Sequence, residues 1–404
     1  MNLTERKDLT EKKHLAERKE LIKKIERSFR SRFRKDPLLI ESPGRVNLIG
    51  EHTDYNHGFV LPAAIDRIIV LAMARNEQDL IRLHAADMDS GCVEIPVQNS
   101  YKKNDPGWAN YVLGVVDQLA KAGHVTGGFD CVFGGNIPIG AGMSSSAALE
   151  SGVVFGLSEL FDLGLSRLEM TRIAQRAENH FVGVQCGIMD QFASLHGKKN
   201  CVIKLDCRSL DFELYPFDRD DVRIMLCDTN VRRELAGSEY NIRRQQCEEG
   251  AAALHKHDPS IHSLRDVSFS LLEEHKNDLD PVVYRRCRYV LEENRRVQMG
   301  CEDLSKNDFV SFGKRMYQSH YGLRDDYEVS CPELDLLVEA AEKQEGVLGS
   351  RMMGGGFGGC TINLVIQDRA EQVVEEITQY YHERMGTSPG VYIANIGDGT
   401  RLLS

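Results

Sequence analysis

Four ionisable side chains, Arg45, Glu51, His52 and Asp54, fall within ten residues of the stretch Ser42–Tyr55, SPGRVNLIGEHTDY. An unpaired buried charge is costly, so such a cluster suits a polar ligand or solvent better than a core. Carboxylates and an imidazole together accept from and donate to several hydroxyls at once. The stretch predicts a short strand at Arg45–Ile49, a turn at Gly50 and a polar loop. A solvated loop after an edge strand is the alternative.

A second chemical stretch is PIGAGMSSSAA at 138–148. A glycine-rich turn runs straight into a helix, whose free amides and dipole favour an anion. Gly140 and Gly142 let a phosphate approach the backbone, and Ser144, Ser145 and Ser146 offer hydroxyls. No Gly-Lys-Ser/Thr follows, so this is no Walker loop, and the third glycine of a dinucleotide fingerprint is missing. Serines acting as plain helix caps are the alternative.

GVQCGIMDQF at 183–192 sets Asp190 among Ile188, Met189 and Phe192, where a carboxylate needs a cation or hydrogen-bond donors. Glu178, twelve residues earlier, offers oxygen to a hard cation such as Mg²⁺, or is an exposed helix charge. RMMGGGFGGC at 351–360 has five glycines in six positions. That run suits amides facing a ligand or close backbone packing, and Phe357 within it argues against a loose surface loop.

The elements that must position these residues read as a mixed chain. Residues 3–34 predict an amphipathic, solvated helix carrying Leu15, Ile22 and Ile25, with few apolar side chains in its first dozen residues. Residues 1–36 hold thirteen Lys/Arg against seven Asp/Glu, net +6, within a chain of net charge −11. Interleaved glutamates and the overall negative charge argue against nucleic-acid binding. Strands are predicted at Arg45–Ile49, Ile68–Ala72, Cys92–Val97, Gly128–Phe133, Cys201–Leu205, Val222–Asp228 and Cys360–Ile366. Helices are predicted at Tyr111–Ala122, Ser145–Phe161, Arg167–Val182, 239–256, 281–299, 302–319 and Ala370–Glu383. This order suggests α+β rather than a regular βαβ array.

At 404 residues two units are expected. The eleven cysteines include no C-x-x-C pair, which suits reduced thiols in a cytoplasmic protein. The N-terminus has no apolar signal region, and Phe59–Ala74 is broken by Pro62, Asp66 and Arg67, so no membrane span is expected.

Taken together, 42–65, 138–147, 187–192 and 354–359 resemble the GHMP small-molecule kinase family, and within it the enzymes acting on galactose. The resemblance covers about residue 36 to the C-terminus. It implies a two-lobed α+β fold with mixed sheets, an extension at 1–35, an N-terminal lobe at 36–205 and a C-terminal lobe at 206–404. It implies transfer of the γ-phosphoryl group of MgATP to the anomeric hydroxyl of galactose in the cleft between lobes. Asp190 would accept the sugar O1 proton beside Arg45. Glu51, His52, Asp54, Gly187 and Tyr240 would meet sugar hydroxyls. Gly140, Ala141, Gly142, Met143, Ser144, Ser145 and Ser146 would wrap the phosphates, and Ser146 with Glu178 would hold Mg²⁺. A monomer or weak homo-oligomer is expected. Thr53 favours galactose over an N-acetylated sugar by the same resemblance, with arabinose a further option. A silent galactose sensor is disfavoured because Ser146 and Ala147 follow the serines directly.

Overall fold

The computed structural model describes the backbone of residues 3–88, 91–138, 140–231 and 236–403 and, outside 3–14 and 236–238, their side chains. Strands run β1 (Leu38–Asn47), β2 (Phe59–Val60), β3 (Pro62–Arg75), β4 (Leu80–Ala85), β5 (Val93–Pro96), β6 (Phe129–Gly135), β7 (Cys201–Asp206), β8 (Phe212–Pro216), β9 (Val222–Asp228), β10 (Val347–Met352), β11 (Cys360–Ile366), β12 (Gly390–Ala394) and β13 (Arg401–Leu402). Helices run α1 (Leu3–Phe33), α2 (Ala109–Lys121), α3 (Ser145–Leu160), α4 (Arg167–Arg176), α5 (Met189–His196), α6 (Ala236–His255), α7 (Phe269–Glu274), α8 (Pro281–Ser305), α9 (Phe309–Tyr321), α10 (Pro332–Glu342) and α11 (Ala370–Met385).

The first sheet has the order β13-β1-β3-β6-β4-β5, and only its β4–β6 pair is parallel. Its inner face takes α3 and α5. Gly152 makes the α3 approach possible: a Cβ there would sit 2.4 Å from Leu71 Cδ1. The outer face takes α1, which buries Ile25 and Phe29 against Ile68, Val70 and Val132. Leu15, expected on the apolar face, is exposed. The expectation for the first dozen residues concerns side chains outside the described ones.

A second sheet, β10-β11-β9-β12, packs against α10 and α11 through Leu337, Val365 and Ile377. Helices α6 and α8 surround a further core built on Tyr289, Leu323 and Tyr327. The three-stranded β2-β7-β8 sheet completes the mixed α+β architecture.

Several boundaries differ from the sequence reading. The first strand starts at Leu38 and ends at Asn47, with an irregularity between Pro43 and Arg45 that re-aims Arg45. The two helices expected at 281–299 and 302–319 are α8 to Ser305 and α9 from Phe309. Gly300 lies inside α8, where a Cβ would sit 3.0 Å from the Phe312 ring, and Asp308 caps α9. The helix expected over Arg167–Val182 changes at Ala177 into a π-helical turn that carries Glu178. Near the C-terminus, β13 returns to pair with β1. All eleven cysteines are free. Among the described residues no helix is long and apolar enough to cross a membrane.

Candidate active site

Arg45 and Asp190 come together as an ion pair. Arg45 leaves β1 after its irregularity, and Asp190 stands in the first turn of α5. Nε and Nη2 of Arg45 donate to the two Asp190 oxygens, each at 2.8 Å. This planar, two-point pairing fixes the carboxylate's orientation as well as its charge. The Arg45 side chain is 6% exposed and that of Asp190 24%, so the carboxylate is the open member. Arg45 Nη1 also donates to Gly142 O, and Ser144 Oγ donates to Asp190 Oδ2.

The loop at 140–146 wraps around this pair; Ile139 lies outside the described residues. Gly140, Gly142 and Ser144 all have positive φ, so the backbone curls before α3 begins. Ala141 and Met143 point into the core. Ser144 makes no side-chain cap to α3, which excludes the plain-capping alternative for that residue. Ser146 Oγ donates to Glu178 Oε1 at 3.0 Å. Within 354–359, close backbone packing accounts for two of the glycines: a Cβ on Gly356 would lie 2.1 Å from Val329 O, and one on Gly358 2.6 Å from Val231 O.

Beneath the loop lies a carboxylate cluster that the sequence reading recognised only in part. Gln191 Nε2 bridges Glu178 Oε2 at 2.6 Å and Glu150 Oε2 at 3.1 Å. Glu150 Oε1 is buried without a partner. Burial, reinforced by the Asp190 charge, raises the Glu178 pKa, and burial with the Glu178 charge raises that of Glu150 well above the carboxylate range. Glu150 stands four residues after Ser146 on α3, so helical spacing was the available signal. The donor set, carboxylates plus a serine hydroxyl, fits a hard cation such as Mg²⁺.

The 50–58 loop forms the opposite wall. Gly50 N donates to Glu293 Oε1 at 2.8 Å, and Thr53 Oγ1 closes the loop onto Gly50 O and Phe59 O. Glu51 Oε1 accepts from Arg351 Nη2 and Gly354 N, both at 2.8 Å. Glu51 is 2% exposed and Arg351 fully buried. Arg351 also donates to Asn47 O and Leu48 O, so β10 is tied to the end of β1. The Glu51 carboxylate is therefore turned largely into the protein, where it braces the loop; the motif alone had aimed it at ligand.

His52 is held at φ 61° beneath the rings of Tyr240 and Tyr327, at centroid distances of 5.2 and 4.9 Å. Its Nδ1 bonds Tyr55 Oη at 2.8 Å, while its Nε2 is buried without a protein partner. Burial pushes its pKa down to about 3, so it is a neutral imidazole at physiological pH. Tyr55 Oη meets Tyr327 Oη at 2.7 Å. Asp54 lies nearby, and burial together with the Asp190 charge pushes its carboxyl up to about 7. Gly187 is required here: a Cβ would fall 1.8 Å from Asp54 Oδ2. Tyr55, Tyr327, Arg351 and Glu150 were not singled out in the sequence; long-range folding brings Tyr327 and Arg351 to the site, whereas Tyr55 follows Asp54 directly and Glu150 shares a helix face with Ser146.

Beside Ser145 and Ser146 opens a mostly apolar cavity of about 260 Å³, with Trp108, Tyr111, Phe133 and Ile137 among its walls. A larger cavity of about 450 Å³, between Arg18, Arg67, Lys199 and Arg219, touches none of these site residues.

The chain matches the families described as the galactokinase galactose-binding signature over residues 27–75, the GHMP kinases N terminal domain over 110–198 and the GHMP kinases C terminal over 302–383. It is 41% identical to a galactokinase of Clostridium acetobutylicum, over 95% of this chain and 99% of the relative. The chain belongs to the galactokinase family. A Bos taurus galactokinase is likewise 41% identical, over 94% of this chain and 96% of its own. The crystal structure of Lactococcus lactis galactokinase complexed with galactose superposes with a TM-score of 0.91 at 36% identity, covering 94% of this chain and 98% of that one. Methanococcus jannaschii mevalonate kinase, at 17% identity and a TM-score of 0.64 over 90% of this chain and all of its own, shares the fold. The galactokinase signature begins at residue 27, inside α1, so family likeness reaches into the segment expected to lie outside it.

Proposed function

We propose that this galactokinase-family chain transfers the γ-phosphoryl group of ATP to the anomeric hydroxyl of galactose. The observation that carries this reading is the Arg45–Asp190 pair, seated where the phosphate loop meets the 50–58 loop. The sugar rests against His52, Asp54, Gly187 and Tyr240, with O1 towards Asp190. His52 Nε2, buried and unpartnered, is placed to bond a hydroxyl, and Glu51 holds this wall through Arg351. The adenine of ATP occupies the apolar cavity by Trp108 and Tyr111, and Gly140–Ser146 bind the phosphates.

Phosphoryl transfer has a loose transition state, so alignment and charge neutralisation dominate. The O1–phosphorus bond forms as the bond to the β,γ-bridging oxygen breaks, and ADP leaves. Asp190 orients O1 and takes its proton late, because Arg45 and Ser144 already occupy part of its acceptor capacity. Arg45 faces both the carboxylate and the transferring group. Ser146 and Glu178 would hold Mg²⁺, which would supply charge neutralisation to the polyphosphate. The N-terminal lobe comprises 36–205 together with the returning β13, and the C-terminal lobe holds most of the remainder.

The test is ATP-dependent phosphorylation of galactose, N-acetylgalactosamine, glucose and arabinose, compared by kcat/KM. Strong preference for galactose, abolished in Asp190→Asn, is the expected result. Galactose binding without turnover overturns the kinase reading in favour of a sensor. Turnover of another sugar overturns only the substrate.

A further inference from the structure

Outside the cleft, the helical part of the C-terminal lobe brings two histidines and an aspartate to one point. His257 follows the end of α6, and His275 and Asp278 flank the short turn between α7 and α8. The two imidazoles stack at a centroid distance of 3.6 Å with 17° between their planes. His257 Nε2 lies 3.3 Å from Asp278 Oδ2, and His275 Nδ1 lies 3.1 Å from the same oxygen. One ligand atom from each of the three residues falls within 4.8 Å of the others.

We propose that His257, His275 and Asp278 form a binding site for a divalent transition-metal ion, with zinc the best match. Zinc binds imidazole nitrogen and carboxylate oxygen at about 2.0–2.2 Å, so tetrahedral ligands stand about 3.4 Å apart. The two nitrogen–oxygen spacings already lie near that value. A set of two imidazoles and one carboxylate selects zinc, cobalt, nickel or copper over magnesium and calcium, which prefer oxygen. Each imidazole lone pair lies in its own ring plane, so the two rings share an ion with Asp278 when one of them turns out of the stack.

The site is structural in kind. Tyr240 lies in α6, and the fifteen residues from it to His255 extend about 22 Å along the helix. An ion here would clip the turn before α8 to the end of α6, and both helices belong to the core that carries Tyr327. Its fourth position faces solvent, since His257 and Asp278 are both exposed.

The full-length protein without a histidine tag, stripped with chelator, is titrated with zinc by calorimetry and with cobalt by absorption spectroscopy. One equivalent of zinc at micromolar affinity is expected, with a cobalt spectrum lacking a thiolate charge-transfer band. Zinc is also expected to raise Tm, through linkage to folding. In His257→Ala/His275→Ala that equivalent weakens at least tenfold and the Tm rise disappears, while galactose phosphorylation is unchanged. Asp278→Asn, an exposed and conservative change, provides the same readout if the double variant does not fold. No zinc binding by the native chain, unaltered binding in both variants, or a thiolate band from cysteine ligation each overturns the proposal.

Discussion

The two walls of the cleft are built on opposite principles. On the 50–58 side, buried polar groups are largely paired within the protein: Gly50 with Glu293, Thr53 with two carbonyls, Glu51 with Arg351 and Gly354. On the phosphate side, Glu150, Glu178 and Asp190 crowd together with Arg45 as the close cation, and Glu150 Oε1 has no partner. The first wall is braced within the protein, and His52 Nε2 is left there without a protein partner. The second wall retains an excess of acidic groups that a cation would offset. Preorganisation suits selection among similar sugars, whereas a charge deficit suits a ligand that brings its own metal.

Variants can break this contrast. The largest effect is expected for Asp190→Asn, which removes the proton acceptor. A loss of about 10²–10⁴-fold in kcat is expected. More than a tenth of kcat surviving in a folded variant would remove Asp190 from its assigned role.

Arg351→Met attacks the preassembled wall by leaving the Glu51 carboxylate buried and unpaired. Breaking a buried pair from one side costs about 3–5 kcal/mol, so a large fall in Tm is expected. Glu51→Gln/Arg351→Met should recover part of that stability, and a double-mutant cycle measures the coupling. Unchanged Tm in the single variant would mean that the pair does not hold the wall.

Glu178→Gln sharpens the other side. Half-saturating Mg²⁺ should rise about 10–100-fold, while galactose affinity measured without nucleotide is unchanged. An equal loss of galactose affinity would erase the division between the walls.

The smallest effects are pH-dependent and opposite in sign. His52 has a folded pKa of about 3 against an ordinary 6.5, so the unfolded chain binds more protons between those values. Its contribution to stability is present above pH 6.5 and is lost as pH falls towards 3. Asp54 has a folded pKa of about 7 against an ordinary 3.8, so the folded chain holds the extra proton, and its contribution is lost as pH rises from 3.8 through 7. Urea unfolding of His52→Gln and Asp54→Asn across pH 4–7 should change the native slope in opposite directions, each by on the order of 1 kcal/mol per pH unit. Slopes identical to the native protein would show that neither group titrates as its burial requires.

The sequence by itself determined the parts whose chemistry is local. A glycine-rich turn feeding α3 and charged residues after a strand are set by near neighbours, and the structure brings Arg45 and Gly142 into contact. Most strands and helices read from periodicity are found within a few residues, because alternation and helical spacing are also local. Polar β10 was missed: Val347–Met352 contains Gly349, Ser350 and Arg351, which do not look like a buried strand until its partners are known. The return of β13 to β1 was missed for the same reason, since two residues carry no pattern.

Only the tertiary structure decided what the motif residues do. Glu51 reads as a ligand group in GEHTDY, yet Arg351, three hundred residues away, turns it into a brace. His52 is neutral and Asp54 holds its proton high because burial under side chains distant in sequence, Tyr240 and Tyr327 among them, excludes water. Burial and pairing are properties of the folded whole, and sequence spacing carries no measure of either.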